Sequence, residues 1–264
     1  MLSSTNAATI GTAAGILGDF GGGNIFDELN SVDILLQSGL PLTSYTQQQV
    51  FSGSGLCVLG APGRWEVMQF RTAALIGAAT YRLSGLLRGR RGTEWAMSLH
   101  AAGDIFVLAS MTAWSRPNPG TAEIGLARVY KGVTSKTSLP DAEVQGFVNT
   151  AMGLECYAPV QIGGGRNADG DVTINWVRRS RIGGEWRDYV DVPLGEVSEA
   201  YLLEIWDSDY TVLKRTITGL TSPTATYTAT DQTTDFGSPQ STVYLKVYQV
   251  SATVGPGIPG IGSV

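Results

Sequence analysis

Histidine occurs once in this chain, at position 100, and cysteine twice, at positions 57 and 156. A Ser-His-Asp or Cys-His site would have to be built on His100 alone. No GxSxG elbow and no catalytic-cysteine signature accompanies it. A lone histidine between Leu99 and Ala101 reads as structural. With no histidine pair, no CxxC and no EF-hand loop, the ligand clusters that hold metals are missing too. No glycine-rich loop opens a helix, so nucleotide binding has no support, and no cofactor is expected. Cys57 (LCVLG) and Cys156 (LECYAP) lie in apolar contexts and read as buried thiols. A single bridge between them is left open, and nothing suggests a disulfide-built secreted domain. Charge is sparse, at 16% of residues with a net charge of -5, which gives no basic footprint for nucleic acid. No basic residue precedes Arg64, so the N-terminus lacks the positive region of a secretory signal. The opening run, MLSSTNAATIGTAAGILGDFGGGN, is too short and too glycine-rich to span a bilayer.

What the chain has in quantity is glycine, 34 residues of it, with frequent Thr, Ser, Val and Tyr. This is the composition of a β-rich protein with many tight turns. Strand-like runs cover residues 31–38, 43–51, 56–59, 65–70, 105–111, 125–131 and 144–154, and WSRPNPGT (Trp114 to Thr121) reads as a loop. Met97 to Ala102 reads as a single helical turn. Farther on, Val172, Ile174 and Trp176 share one face of a strand, as do Tyr201, Leu203 and Ile205, and then Val243, Leu245 and Val247. Val212 to Ile217 forms a return strand, Tyr227 to Ala229 a short one, and WDSDY around Asp207 and Asp209 a hairpin turn. The expected fold is all-β, with two β-rich domains, the second a fibronectin type III-like sandwich. The tyrosine corner of such sandwiches has no clear place, because Tyr244 falls opposite the Val243, Leu245, Val247 stripe. The expected organisation is an arm over 1–25, flexible or docked on a partner, a first domain over 26–154, the sandwich over 155–254 and a Gly/Pro tail over 255–264.

The densest stretch is YRLSGLLRGRRGTEW, Tyr81 to Trp95. It opens as a strand, and Gly89 and Gly92 break the run. Arg88, Arg90 and Arg91 crowd three guanidiniums into four positions. A solvated turn, with Glu94 the nearest carboxylate, is the plainest reading. A cationic knuckle pairing bidentately with an acidic surface is the functional one. Phosphate binding ranks last, since no P-loop spacing is present.

LLRGRRGTE, preceded by EVMQFRTAALIG, resembles the C-terminal region of the tail-tip protein family of phages and gene transfer agents, also described as phage tail or host-specificity proteins. The resemblance continues through INWVRRSRIGGEW, DVPLGE, TDFG and VYQVSATVGPG, and so covers most of the chain from about Phe26. It implies a non-enzymatic virion structural protein of the distal tail or baseplate. It also implies contacts with other tail proteins, a homotrimer around the tail axis, and a surface toward a host receptor or glycan.

Because phage tails often carry glycan-degrading enzymes, paired carboxylates matter, and a glycosidase needs two acids flanking one sugar bond. Glu185, Asp188, Asp191, Glu196, Glu199 and Glu204 offer many pairs and no distinctive one. Tyr201 reads as core, whereas Trp186 and Trp206, near turns, are more open. The alternative function is therefore a glycan-degrading or carbohydrate-binding protein. Arg178, Arg179 and Arg181, with Glu185, Arg187 and Asp188, make a mixed-charge hairpin. It is either a ribbon of weak surface ion pairs, worth roughly 0–1 kcal/mol each, or an interface rich in Arg and Trp. The candidate interface residues are Arg88, Arg90, Arg91, Glu94, Arg178, Arg179, Arg181, Trp186 and Arg187.

Overall fold

The computed structural model describes residues 7–110, 114, 120–134, 136–184 and 189–264. The chain divides into two compact units, 1–118 and 119–264.

The first unit is built on β1 (Ile10–Ala13), β2 (Phe26–Asp27), β3 (Val32–Ser38), β4 (Leu56–Gly60), β5 (Glu66–Gly77), β6 (Thr80–Arg90) and β7 (Ile105–Leu108). The strands pair antiparallel in the order β2-β6-β3-β1-β7-β4-β5, and β5 pairs back onto β6. Six strands thus close into a barrel, which leaves the ring no open edge, and β2 lies along β6. Alternation fills the interior: Ile34, Leu59, Met68, Phe70, Leu83, Leu86 and Phe106 are all buried.

Two expectations fail here. The described part of the expected 1–25 arm, residues 7–25, does not stand apart, because Ile10–Ala13 is a barrel strand between β3 and β7 and Leu17 is buried in the core. A short apolar segment with alternating burial pairs its backbone in a sheet rather than trailing in water. Nor is 43–51 a strand. Gln47–Phe51 forms α1, opened by a capping box in which Thr46 accepts from the Gln49 amide and Gln49 accepts from the Thr46 amide. The signature T-x-x-Q was in the sequence. The helical turn expected at 97–102 is a 3-10 helix over Glu94–Leu99.

The second unit begins with a two-stranded sheet, β8 (Ala127–Lys131) and β9 (Val144–Val148). The sandwich follows: β10 (Val160–Arg166), β11 (Val172–Val177), β12 (Tyr201–Trp206), β13 (Leu213–Leu220), β14 (Thr224–Tyr227), α2 (Ala229–Phe236), β15 (Tyr244–Ser251), β16 (Gly255–Pro256) and β17 (Gly260–Ser263). One sheet has the order β10-β11-β14. The other has β13-β12-β15, with β16 and β17 both pairing β15. Three strands face five, and because β16 and β17 pair successive stretches of β15 the second sheet is four strands wide, a fibronectin type III-like arrangement whose core holds the expected residues. Val172, Ile174, Trp176, Tyr201, Leu203, Ile205, Val243, Leu245 and Val247 all pack inward, with the Trp176 and Tyr201 rings edge to face at 5.2 Å.

Three further corrections follow. The contact boundary falls at 118/119 instead of 154/155, so the β8–β9 hairpin groups with the sandwich unit. The end of the chain is not a loose tail, since Gly260–Ser263 pairs along β15 and Val264 exchanges both backbone bonds with Val243. The short strand at Tyr227 stops at Thr228, which caps α2, and Gly237 (φ 83°) ends that helix.

Candidate functional site

The most concentrated chemistry lies inside the first unit. Glu66 opens β5, Arg88 stands near the end of β6, and Asp27 ends β2. His100 follows the 3-10 helix, and Asp104 precedes β7. All five side chains are excluded from water. Arg88 Nε lies 2.8 Å from Glu66 Oε1, and its Nη2 lies 2.9 Å from Oε2. Its Nη1 donates to Asp27 Oδ2 at 3.3 Å and to the Gly18 carbonyl at 2.9 Å. The Gly89 amide donates to Glu66 Oε1 at 2.7 Å. His100 bridges two acids: Nε2 is 2.6 Å from Glu66 Oε2 and Nδ1 is 2.9 Å from Asp104 Oδ2. Arg64 forks onto both Asp104 oxygens.

Carboxylates only accept, so both ring nitrogens of His100 can donate only when the ring is imidazolium. Burial pushes the Glu66 carboxyl up, but hydrogen bonds from His100, Arg88 and the Gly89 amide outweigh it and hold it below its ordinary value. Asp104 behaves alike: burial raises it, while Arg64, His100 and the Ala101 amide bring it below the usual carboxylate range. The lone pairs of these acids are spent on fixed donors of the fold. The network ties β2, β5, β6, the approach to β7 and the N-terminal segment together, and it works as a structural clamp.

This overturns the solvated-turn reading and the interface reading for Arg88, which is internal to its own unit. The strand does not break at Gly89. It runs on to Arg90 because Gly85 (φ 61°) and Gly89 (φ 57°) take left-handed backbone inside it. Arg90 donates to Asn24 at 2.7 Å, and Arg91 is exposed at φ 59°. Glu94 starts the 3-10 helix and packs beside Gly89. The crowded guanidiniums thus point to different surroundings. One available signal was His100 four residues before Asp104; the partner Glu66 was too distant in sequence to suggest.

The second arginine cluster is pinned by its own loop. Arg178 bonds Asp191 at 3.1 Å and the carbonyls of Val192 and Pro193. Arg181 meets Glu196 at 3.0 Å, and the Arg179 guanidinium lies 5.2 Å over the Tyr157 ring. Trp186, Arg187, Glu185 and Asp188 lie outside the described residues.

The four candidate glycosidase acids among the described residues are each engaged separately: Asp191 and Glu196 by those arginines, and Glu199 by the Tyr201 hydroxyl at 2.7 Å. Glu204 accepts from Trp206 Nε1 and from the Tyr248 hydroxyl, both at 3.0 Å. Lys246 sits 4.1 Å over the Trp206 ring. Trp206 is thus part of a cross-strand ladder on the outer sheet face. Cys57 and Cys156 are buried free thiols, the former pushed up by burial and by the charge of Glu66. Among the described residues, no group of three or more His, Cys, Asp or Glu side chains is placed to hold a metal, and no helix is long and apolar enough to cross a membrane.

The family described as "Rcc01698-like, C-terminal" matches residues 8–107, a range that runs from just before β1 into β7. No curated protein matches the chain. Among solved structures, domains d3-d4 of the rat CD45 extracellular region are 12% identical, with a TM-score of 0.30, over 60% of this chain and 71% of that one. The FN1-FN3 domains of chicken CNTN1 are 13% identical, also with a TM-score of 0.30, over 96% of this chain and 64% of that one.

Proposed function

We propose that this chain is a structural subunit of the distal tail, at the tip or baseplate, of a phage or gene transfer agent particle. The observation that carries this reading is the Rcc01698-like match across the barrel unit, since Rcc01698 is a gene transfer agent protein. It agrees with the resemblance borne by EVMQFRTAALIG and LLRGRRGTE, which are β5 and the β6 end of the same barrel. In this reading several copies, a trimer in the simplest case, surround the tail axis, contact other tail proteins and help present a surface to the host cell.

The chemistry of the fold supports a scaffold over a catalyst. The buried acids of the barrel are held by arginines and by His100, and the candidate sandwich acids Asp191, Glu196, Glu199 and Glu204 each have their own structural donor. A glycan-degrading role would need two acids facing one sugar bond, and an aromatic platform would need a free ring where Trp206 carries Lys246. The test is deletion of the gene followed by particle counting and electron microscopy. The reading expects particles that lack a complete distal tail or fail to assemble. Complete particles lacking only a polysaccharide-degrading activity would favour the enzymatic alternative.

A further inference from the structure

Among the described residues, the β8–β9 hairpin is unlike every other strand pair. Both strands are exposed at each of their positions. Side chains alternate across a strand, so the register Ala127↔Val148, Val129↔Gly146, Lys131↔Val144 puts Val129, Val144 and Val148 on one face. Tyr130 and Phe147 lie on the other, their rings 6.2 Å apart. Apolar groups therefore occupy both faces: Val129 is 72% exposed, Phe147 55% and Val144 54%. A surface hairpin that packs on its own domain has one apolar face and one polar face. A free two-stranded hairpin is marginal in water. It also shows unpaired backbone groups along both outer edges, a template for another strand.

We propose that this hairpin is a self-association element, in which the outer edge of β9 in one copy pairs antiparallel with the outer edge of β8 in the next. Charge favours a second copy of this chain as occupant. β8 carries Lys131 beside Arg128, the latter already forked by Glu123 of its own chain, whereas Asp141 and Glu143 lead into β9. In the register that the hairpin itself uses, the Lys131 end of one copy meets the Glu143 end of its neighbour. The Lys131 ammonium donates to the Leu139 and Pro140 carbonyls at 2.9 and 3.2 Å, so one of its three N–H donors remains for a carboxylate. Pairing of unlike edges is heterologous, and it closes a ring when the rotation between copies allows. The hairpin would then be one layer of a multistranded collar, its two apolar faces flanked by those of its neighbours. This inference names the contact behind the multi-copy part of the proposed function.

The test uses the purified full chain in analytical ultracentrifugation from micromolar to hundreds of micromolar, with Val129→Asp and Phe147→Asp variants beside it. Both positions are exposed, so folding should be unchanged, and the thermal melt checks that. The expected result is a concentration-dependent oligomer whose dissociation constant rises roughly tenfold or more in each variant, about 1.4 kcal/mol. Backbone amides of β8 and β9 should gain hydrogen-exchange protection as concentration rises. A monomer throughout the range, or an oligomer indifferent to both substitutions, overturns the proposal. Neither result bears on whether particles contain the chain, which is read by microscopy of the particle itself.

Discussion

His100 Nε2 lies 2.6 Å from Glu66 Oε2, 34 positions apart in sequence and with no water-exposed surface on Glu66. This contact joins the 3-10 region to the first residue of β5, and Arg88 completes the clamp from β6. Three predictions about stability start from it, and two more concern the sandwich.

The three crowded arginines should behave differently. Arg88→Ala strands Asp27 without a cation and leaves Glu66 to His100 and the Gly89 amide alone, and breaking a buried pair costs about 3–5 kcal/mol. Arg91→Ala, at an exposed position, should stay within about 0.5 kcal/mol. Chemical denaturation of each variant reads the difference. Equal, small effects at both positions would mean that Arg88 is not held as described.

Acid should unfold the barrel unit through its carboxylates. Glu66 and Asp104 both have folded-state values below their ordinary ones. Their stabilisation is therefore complete above the unfolded values, about 4.3 and 3.9, and is lost as pH falls through the folded values. The melting temperature should drop as pH is lowered below about 4. Glu66→Gln should start lower at neutral pH and fall less steeply in acid. Parallel curves for the two proteins would exclude Glu66 as a source of the acid sensitivity.

Gly89 should not tolerate a side chain. It sits at φ 57°, and an added Cβ would lie 2.9 Å from the Glu94 Cα. Gly89→Ala carries the left-handed penalty, on the order of 1–3 kcal/mol, plus a backbone shift beside the Glu66 contact. Gly237→Ala, whose added Cβ meets nothing, provides the comparison. A smaller loss at Gly89 than at Gly237 would contradict the packing.

Much of this fold was legible and some was not, for identifiable reasons. The sandwich strands announced themselves because one face is buried and one is wet, so Val172, Ile174, Trp176 and their counterparts alternate. The barrel was harder. Residues 85–89 of β6 are buried at every position, so no alternation survives there to mark the end of the strand, and Gly89 looked like a break. Arg88 looked solvated because its partners come from other strands. α1 and α2 were hidden by their shortness, although Thr46 and Thr228 both cap in the ordinary way. The β17 strand was missed because Gly260 and Gly262 read as tail. They are glycine because an added Cβ would reach the Pro159 carbonyl oxygen or Ile162.

That last point makes the C-terminus structural. Removing Gly255–Val264 uncovers the edge of β15 and cuts the Val243–Val264 backbone exchange. A fragment of residues 155–264 should melt cooperatively with a β-type circular dichroism spectrum. The fragment 155–254 should lose most of that cooperativity. Indistinguishable melts would reduce β17 to an ornament.

Where a tyrosine corner would close the sandwich, another tyrosine does related work. The Tyr227 hydroxyl donates to Asp235 at 2.8 Å, and Arg215 on β13 pairs with the same carboxylate. Burial raises Asp235, but Arg215 and Tyr227 together hold it below its ordinary value. Tyr227→Phe removes a hydrogen bond to a charged group, about 1.5–3 kcal/mol. The same substitution in an Asp235→Asn background should cost less, and a double-mutant cycle measures the coupling. Strict additivity would show that the two side chains act independently.

The account as a whole rests on this chain being part of a tail. The direct measurement is cryo-electron microscopy of intact particles carrying a small tag on the chain, compared with untagged particles. Extra density confined to the distal tail, repeated around its axis, is the predicted result. Particles that purify free of the chain, or carry it only on the head, would contradict the account.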